Sequence, residues 1–201
     1  MAIILLAGKN TIKSSVNPGV ALQLFKLDTT KLIDGDLVFR KGRDLVIRLV
    51  LTQGESAQFS HVGIVVRHKN MVSVVHSLPE NETFPSGGVQ VEALSSFVSI
   101  DNASDIAVYR FIKEDPEVRK KVREYVLQQV GKPFDTDFQL STDYHIYCTE
   151  LAIKAYAQAG VEFISNQLLI QVMLIDEPVM PPDYLRRSPH LKRIALGDFD
   201  L

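Results

Sequence analysis

The sequence predicts an α+β fold in which an antiparallel sheet packs against helices. Short β-rich runs bounded by turn residues occupy positions 35–110, and the two best-defined helical patterns follow them. With 201 residues, of which 46% are hydrophobic and 23% charged, the chain has the proportions of one globular domain with a sizeable core. We therefore expect a single domain over residues 1–201, with its core at about 35–160 and a C-terminal arm, 161–201, wrapped around it.

Five short runs are predicted as strands, because each is rich in β-branched residues and is bounded by turn signals. In chain order they are Leu37–Phe39, His61–Arg67, Met71–Leu78, Val89–Val91 and Ile106–Phe111. A helix over Arg43–Thr52 is predicted to interrupt the early strands. The apolar start, Met1–Gly8, is compatible with a strand, a buried arm or the remainder of an export signal.

Two later segments are predicted as helices. Asp115 and Pro116 begin an amphipathic pattern that stops at Gly131. Cys148–Ala159 places its apolar residues on one face and ends at Gly160, which is typical of a buried helix. The remaining chain contains an apolar stretch and a proline-rich tail, and this pattern indicates an arm more than a second domain.

Charge and cysteine content exclude several classes of protein. The formal net charge is -2 and no dense basic block is present, so we expect no nucleic-acid partner. No apolar stretch is long enough for a transmembrane segment. The single cysteine, Cys148, cannot form an internal disulfide or a cysteine-rich zinc site, and no cofactor or metal is expected.

Cys148 lies in the first turn of its predicted helix, where the helix dipole and free backbone N–H groups stabilise a thiolate. This position suits a nucleophile with a lowered thiol pKa, although a lone cysteine at a buried helix start is also an ordinary packing residue. A catalytic thiol needs a base, and His61 and His76 occur on two neighbouring predicted strands.

These two strands form a predicted hairpin. With a two-residue turn at His68–Lys69, or a four-residue loop, His61 lies opposite His76 on one sheet face. Both faces are apolar, so a buried histidine there needs a polar partner, and Cys148 on the covering helix would supply it. Zinc bound by His61, His76 and Cys148 is an alternative, but no paired-ligand spacing such as CxxC or HExxH supports it.

Four short motifs, taken in order, resemble a known family. They are Gly35-Asp36-Leu37-Val38, Phe59-Ser60-His61-Val62-Gly63-Ile64, Gly131-Lys132-Pro133-Phe134-Asp135 and Tyr147-Cys148-Thr149-Glu150. Together they resemble the YiiX-like branch of the circularly permuted papain-like enzymes, relatives of NlpC-type cell-wall peptidases and of lecithin retinol acyltransferase. The resemblance covers the chain from Gly35 to about Gly160 and implies a permuted papain-like fold.

The resemblance also implies roles for individual residues. Cys148 matches the nucleophile, His61 the general base and His76 the polar residue that orients the base. The family often has glutamate where His76 stands, and commonly has a tyrosine that assists oxyanion binding where Phe134 stands. Tyr144, Tyr147 and Ser60 are then the candidate residues for oxyanion or substrate binding.

The expected activity is that of a cysteine peptidase or amidase that acts through a Cys-His dyad, a third polar residue and an acyl-enzyme intermediate. An acyltransferase or lipid hydrolase of the lecithin retinol acyltransferase type is one alternative. A catalytically silent binding module on the same fold is another. The expected substrate is a peptide, a peptidoglycan fragment or an acyl lipid, and the expected source is bacterial. The sequence leaves open a cytoplasmic or exported envelope location and the oligomeric state.

Overall fold

The structure is a computed structural model that describes Phe25 and residues 27–42, 58–81, 85–164, 169–172 and 175–194. A short 3-10 helix, Thr29–Lys31, precedes the first strand. The strands are β1 (Leu37–Gly42), β2 (His61–His68), β3 (Met71–Leu78), β4 (Gly88–Ala93), β5 (Ala103–Phe111) and β6 (Leu191–Arg193). The helices are α1 (Leu94–Phe97), α2 (Pro116–Gln128), α3 (Cys148–Gln158) and α4 (Pro182–Leu185).

The strands of the described ranges form one antiparallel sheet in the order β4-β3-β2-β1-β5-β6. The α+β prediction is confirmed, and each of the five predicted strands is present. The helix expected over Arg43–Thr52 lies outside the described residues. The C-terminal arm contains regular structure that the sequence did not predict, because β6 is a short edge strand paired with β5 and α4 precedes it.

The register of the β2–β3 hairpin differs from the prediction. His68 faces Met71, so the turn consists of Lys69 and Asn70 instead of His68 and Lys69. Lys69 adopts a left-handed backbone conformation, with φ of 54°, which a tight hairpin turn of this kind requires. The predicted direct pairing of His61 with His76 is therefore wrong. The shift is an even number of positions, so the two side chains still share one face.

Two groups of buried residues cover the two faces of the sheet. On the first face, helix α3 packs against Val62, Ile64 and Val75, and α2 packs against the same core. On the second face, α1 covers a smaller core that includes Val65 and Val74. Side chains alternate along β2, so His61 and Gly63 point to the second face with Val65.

Helix boundaries follow from local chemistry. Asp115 accepts a hydrogen bond from the backbone N–H of Glu117 and caps α2, and Pro116 occupies its first turn. Tyr147 precedes α3, and the side chain of Glu150 accepts a hydrogen bond from the backbone N–H of Tyr147 at 3.0 Å. This hydrogen bond satisfies the backbone N–H of the N-cap residue, and Cys148 is the first helical residue.

Candidate active site

Cys148 is fully buried at the start of α3. Backbone N–H groups of Cys148, Thr149 and Val62 all face its sulfur, and Thr149 Oγ1 lies 3.8 Å from Sγ. Val62 directly follows His61 in β2, so the thiol lies against the backbone at the start of that strand.

The expectation of a lowered thiol pKa is wrong for this structure. Burial raises the pKa of Cys148, and the surrounding hydrogen-bond donors only partly oppose that shift. The helix start favours a thiolate, but the free-energy cost of removing the thiolate charge from water exceeds the stabilisation that these donors provide. The resting side chain is a neutral thiol.

His61 is the first residue of β2 and is 2% exposed. Its Nε2 lies 2.8 Å from Nδ1 of His76. Its Nδ1 is buried and has no hydrogen-bond partner among the residues that the structure describes. Burial, followed by the positive charge of Arg40 and the influence of His76, holds the pKa of His61 well below its ordinary value, so the ring is neutral.

His76, on β3, is fully buried. Burial lowers its pKa and the nearby positive charge of Arg40 adds to that effect, while the contact with Glu92 opposes it. Gly63 makes the space for this side chain, because a Cβ at position 63 would lie 3.1 Å from His76 Cβ and 2.2 Å from Val74 Cγ1. An added Cβ would therefore strike Val74 and crowd His76.

Glu92 is a polar member of this cluster that sequence reasoning missed. It lies on β4 opposite Val74, and its Oε2 is 3.1 Å from His76 Nε2. The alternation of Val89 and Val91 with Gln90 and Glu92 was the signal in the sequence, but it is also the pattern of an ordinary solvent-facing strand. Only the pairing of β4 with β3 brings Glu92 to His76.

The nucleophile and the base approach the start of β2 from different faces. His61 packs against the ring of Phe97 on the α1 face, with ring centroids 5.7 Å apart, whereas Cys148 belongs to the core beneath α3. Nε2 of His61 is engaged by His76 and Nδ1 has no partner in the described ranges, so no hydrogen bond joins Cys148 to His61 there. The expectation that Cys148 is the polar partner of the buried histidine is therefore wrong, because α3 and the imidazole lie on opposite faces of the sheet.

The candidate oxyanion and substrate residues lie in three different environments. Ser60 Oγ accepts a hydrogen bond from the Gly42 backbone at 3.0 Å. Tyr147 is buried, its hydroxyl faces the Met180 N–H at 3.5 Å, and burial raises its pKa well above the ordinary value. Tyr144 is 85% exposed. Their roles stay predictions.

Phe134 packs edge-on against Phe138 with ring centroids 5.9 Å apart. It has no hydroxyl, so any side-chain assistance to an oxyanion must come from another residue.

A buried carboxylate from the C-terminal arm holds the segment that leads into His61. Asp183 accepts hydrogen bonds from the backbone N–H groups of Gln58 and Phe59, the latter at 2.9 Å, and pairs with Arg186 at 2.6 Å. The segment before His61 is therefore held by a residue far away in the sequence.

Within the described ranges, no group of three or more His, Cys, Asp or Glu side chains is arranged to hold a metal ion. The zinc alternative for His61, His76 and Cys148 therefore gains no support from the geometry. No helix in the same part of the chain is long and apolar enough to cross a membrane.

The order of the elements, with the histidine-bearing sheet before the cysteine-bearing helix, defines a permuted papain-like fold. The chain belongs to the family of permuted papain-like amidase enzymes, YaeF/YiiX, C92 family, whose profile matches residues 31–195. The resemblance inferred from the four motifs is thus confirmed. The family places the protein in the general class of cysteine hydrolases.

One solved structure with the same fold is the crystal structure of metalloprotein yiiX from Escherichia coli O157:H7, DUF1105. The TM-score is 0.64 and the sequence identity is 20%, over 82% of this chain and 97% of that chain. No curated protein matches the sequence.

Proposed function

We propose that the protein is a cysteine amidase or peptidase in which Cys148 is the nucleophile, His61 the general base and His76 the residue that orients the base. The observation that carries this proposal is the state of the His61 ring. One nitrogen is hydrogen-bonded to His76, and the other is buried without a partner in the described part of the chain. A buried imidazole nitrogen held in this way is suited to accept a proton.

The thiol faces the backbone of Val62, the residue after His61, so the two groups lie at the same end of β2, although their side chains occupy different faces of the sheet. Both groups are neutral at rest, so the reaction begins with general-base catalysis instead of a preformed thiolate. As Sγ attacks an amide carbonyl, the S–H bond breaks and its proton passes to Nδ1 of His61. The proton then passes to the leaving amine, and water hydrolyses the thioester.

Backbone donors are the proposed source of oxyanion stabilisation. The Cys148 N–H lies at the first position of α3, where helix N–H groups have no intrahelical acceptor. Because the Tyr147 hydroxyl already faces Met180, backbone donation is the simpler arrangement.

The test is intact-mass spectrometry of the full chain after incubation with peptide amides, peptidoglycan fragments and acyl lipids. We expect an acyl adduct on Cys148 with one of these classes, and the class that reacts identifies the substrate. Cys148→Ala should form no adduct, and His61→Ala should slow acylation by roughly a hundredfold or more.

His68→Ala is the matched control, because His68 is an exposed histidine at the other end of the same strand. It should acylate at the wild-type rate. Acylation at another residue, or equal loss in His61→Ala and His68→Ala, would contradict the proposed mechanism. A folded protein that forms no adduct with any of the three classes would favour a silent binding module.

A further inference from the structure

Buried polar side chains form a continuous line across three strands. His61 Nε2 on β2 meets His76 Nδ1 on β3 at 2.8 Å, and His76 Nε2 meets Glu92 Oε2 on β4 at 3.1 Å. The Ser96 hydroxyl, one turn further along the chain, donates to Glu92 Oε1 at 2.5 Å. Glu92 is only 6% exposed, so these contacts replace the water that a carboxylate would otherwise bind.

Glu92 is ionised in this environment. Burial raises the pKa of its carboxyl, but the contact with His76, the hydrogen bond from Ser96 and the positive charge of Arg40 together outweigh burial and hold the pKa below its ordinary value. An ionised carboxylate can only accept hydrogen bonds. Its alignment with His76 Nε2 falls short of an ideal hydrogen bond, yet that buried nitrogen has no other partner in the described ranges.

The carboxylate fixes the position of each proton along the line. If Glu92 accepts from His76, the proton of neutral His76 is on Nε2 and its Nδ1 is an acceptor. Nδ1 of His76 then accepts from His61, so the proton of His61 is on Nε2. Nδ1 of His61 is then unprotonated and has a free lone pair, and it is also the nitrogen that has no hydrogen-bond partner in the described ranges.

We propose that Glu92 is a positioning residue that acts through His76 to keep the proton of His61 on Nε2 and thereby makes Nδ1 the basic nitrogen. The catalytic meaning of this assignment rests on the proposed function, whereas the tautomer itself does not. The carboxylate reaches His61 from β4 through the imidazole of His76.

Glu92 also compensates for an opposing charge. Arg40, on β1, faces both histidines and Glu92, and its positive charge disfavours a protonated imidazole. Its guanidinium lies 4.4 Å from the centre of the Phe97 ring, which also contacts both histidines. When Nδ1 of His61 accepts the thiol proton, the Glu92 carboxylate offsets the new positive charge through His76, and no second proton needs to move.

The experiment is long-range proton–nitrogen NMR of the ¹⁵N-histidine-labelled full chain at neutral pH. In the wild-type protein, both His61 and His76 should carry their proton on Nε2. Glu92→Leu removes the acceptor, and His61 should then populate the Nδ1-protonated form as well. A wild-type His61 protonated on Nδ1, or an unchanged tautomer in folded Glu92→Leu, would overturn the proposal.

Glu92→Gln keeps the size of the side chain and tests the charge if Glu92→Leu does not fold. The pH midpoint at which the histidine pair becomes protonated should move to lower pH, because the carboxylate no longer favours the imidazolium. An unchanged midpoint would count against the proposal. Ser96→Ala is the matched control, because it removes a partner of Glu92 but keeps the carboxylate, and it should leave the tautomer of His61 unchanged.

A double variant, His76→Glu with Glu92→Gln, provides a rescue. It delivers a carboxylate directly to His61 Nε2 and should restore the Nε2-protonated tautomer. In the acylation assay, Glu92→Gln should lower kcat by roughly tenfold or more without raising KM. If Cys148 forms no acyl adduct but the tautomers behave as expected, the proposed function fails and the assignment of Glu92 stands. If acylation occurs and the tautomers do not respond, Glu92 has no positioning role.

Discussion

Cys148 shows how burial and helix position compete at a single residue. The start of α3 offers the thiol several backbone donors, but full burial raises its pKa. We expect the rate of alkylation by iodoacetamide to increase with pH through a midpoint above that of an ordinary cysteine thiol, because only the thiolate reacts.

The same protein unfolded in denaturant is the control for this measurement, and its midpoint should be that of a free thiol. A folded-state midpoint below the unfolded one would show that the resting site holds a thiolate-imidazolium pair.

Glu150 is a second residue whose buried environment controls its charge. Burial raises the pKa of this carboxyl from 4.5 to about 7, while Lys154, 2.8 Å away, and the Tyr147 N–H oppose the shift. The unfolded chain ionises more readily, so this group contributes stability below about pH 4.5 that is lost as pH rises toward 7.

Glu150→Gln should therefore reduce the pH dependence of unfolding in this window. The difference in free energy of unfolding between wild type and variant should change by on the order of 2 to 3 kcal/mol across it, measured by urea titration at several pH values. Glu124→Gln, at an exposed glutamate of α2, should leave the profile unchanged. If the free energy of unfolding depends on pH equally in the wild type and in Glu150→Gln, the raised pKa of Glu150 is contradicted.

At the scale of elements, the β2–β3 hairpin is built around the absence of a side chain at Gly63. An added Cβ would lie 2.2 Å from Val74 Cγ1 and 3.3 Å from the Phe97 ring. Gly63→Ala should therefore destabilise the protein by about 1 to 3 kcal/mol through overpacking, as measured by urea unfolding.

A double-mutant cycle separates overpacking from a general intolerance of strand β2. Val74→Ala removes the atom that the new Cβ would strike, so the Gly63→Ala, Val74→Ala pair should cost less than the sum of the single variants. Strict additivity would show that the contact with Val74 is not the cause.

At the scale of the whole molecule, Asp183 connects the C-terminal arm to the segment before His61. Asp183→Ala would leave backbone N–H groups of Gln58 and Phe59 without their acceptor and would remove the ion pair with Arg186. We expect a loss of about 2 to 4 kcal/mol in the free energy of unfolding, with a smaller loss for Asp183→Asn, which retains one acceptor oxygen.

Asp105→Ala is the control for that measurement, because Asp105 contacts the same Gln58 through an exposed side-chain hydrogen bond of 2.8 Å. It should change stability by less than about 0.5 kcal/mol. Similar losses of stability in Asp183→Ala and Asp105→Ala would show that the buried hydrogen bonds of Asp183 contribute no more than a surface contact.

Local sequence determined the elements and the positions of the main candidate residues within them. Alternating β-branched runs and turn residues predicted five strands. Residues typical of helix starts and stops predicted α2 and α3, with Cys148 in the first turn of α3. These features depend on neighbouring residues, so they can be recognised without knowledge of the fold. Even the shared face of His61 and His76 followed from the two-residue period of a strand.

The tertiary structure alone decided which polar groups meet and whether they are charged. The turn at Lys69 and Asn70 depends on backbone conformation, and the contact of Glu92 with His76 depends on the pairing of β4 with β3. The neutral state of Cys148 follows from burial by residues far away in sequence. Strand register and the burial of ionisable side chains are set by packing across the whole molecule, so neither could be derived from neighbouring residues in the sequence.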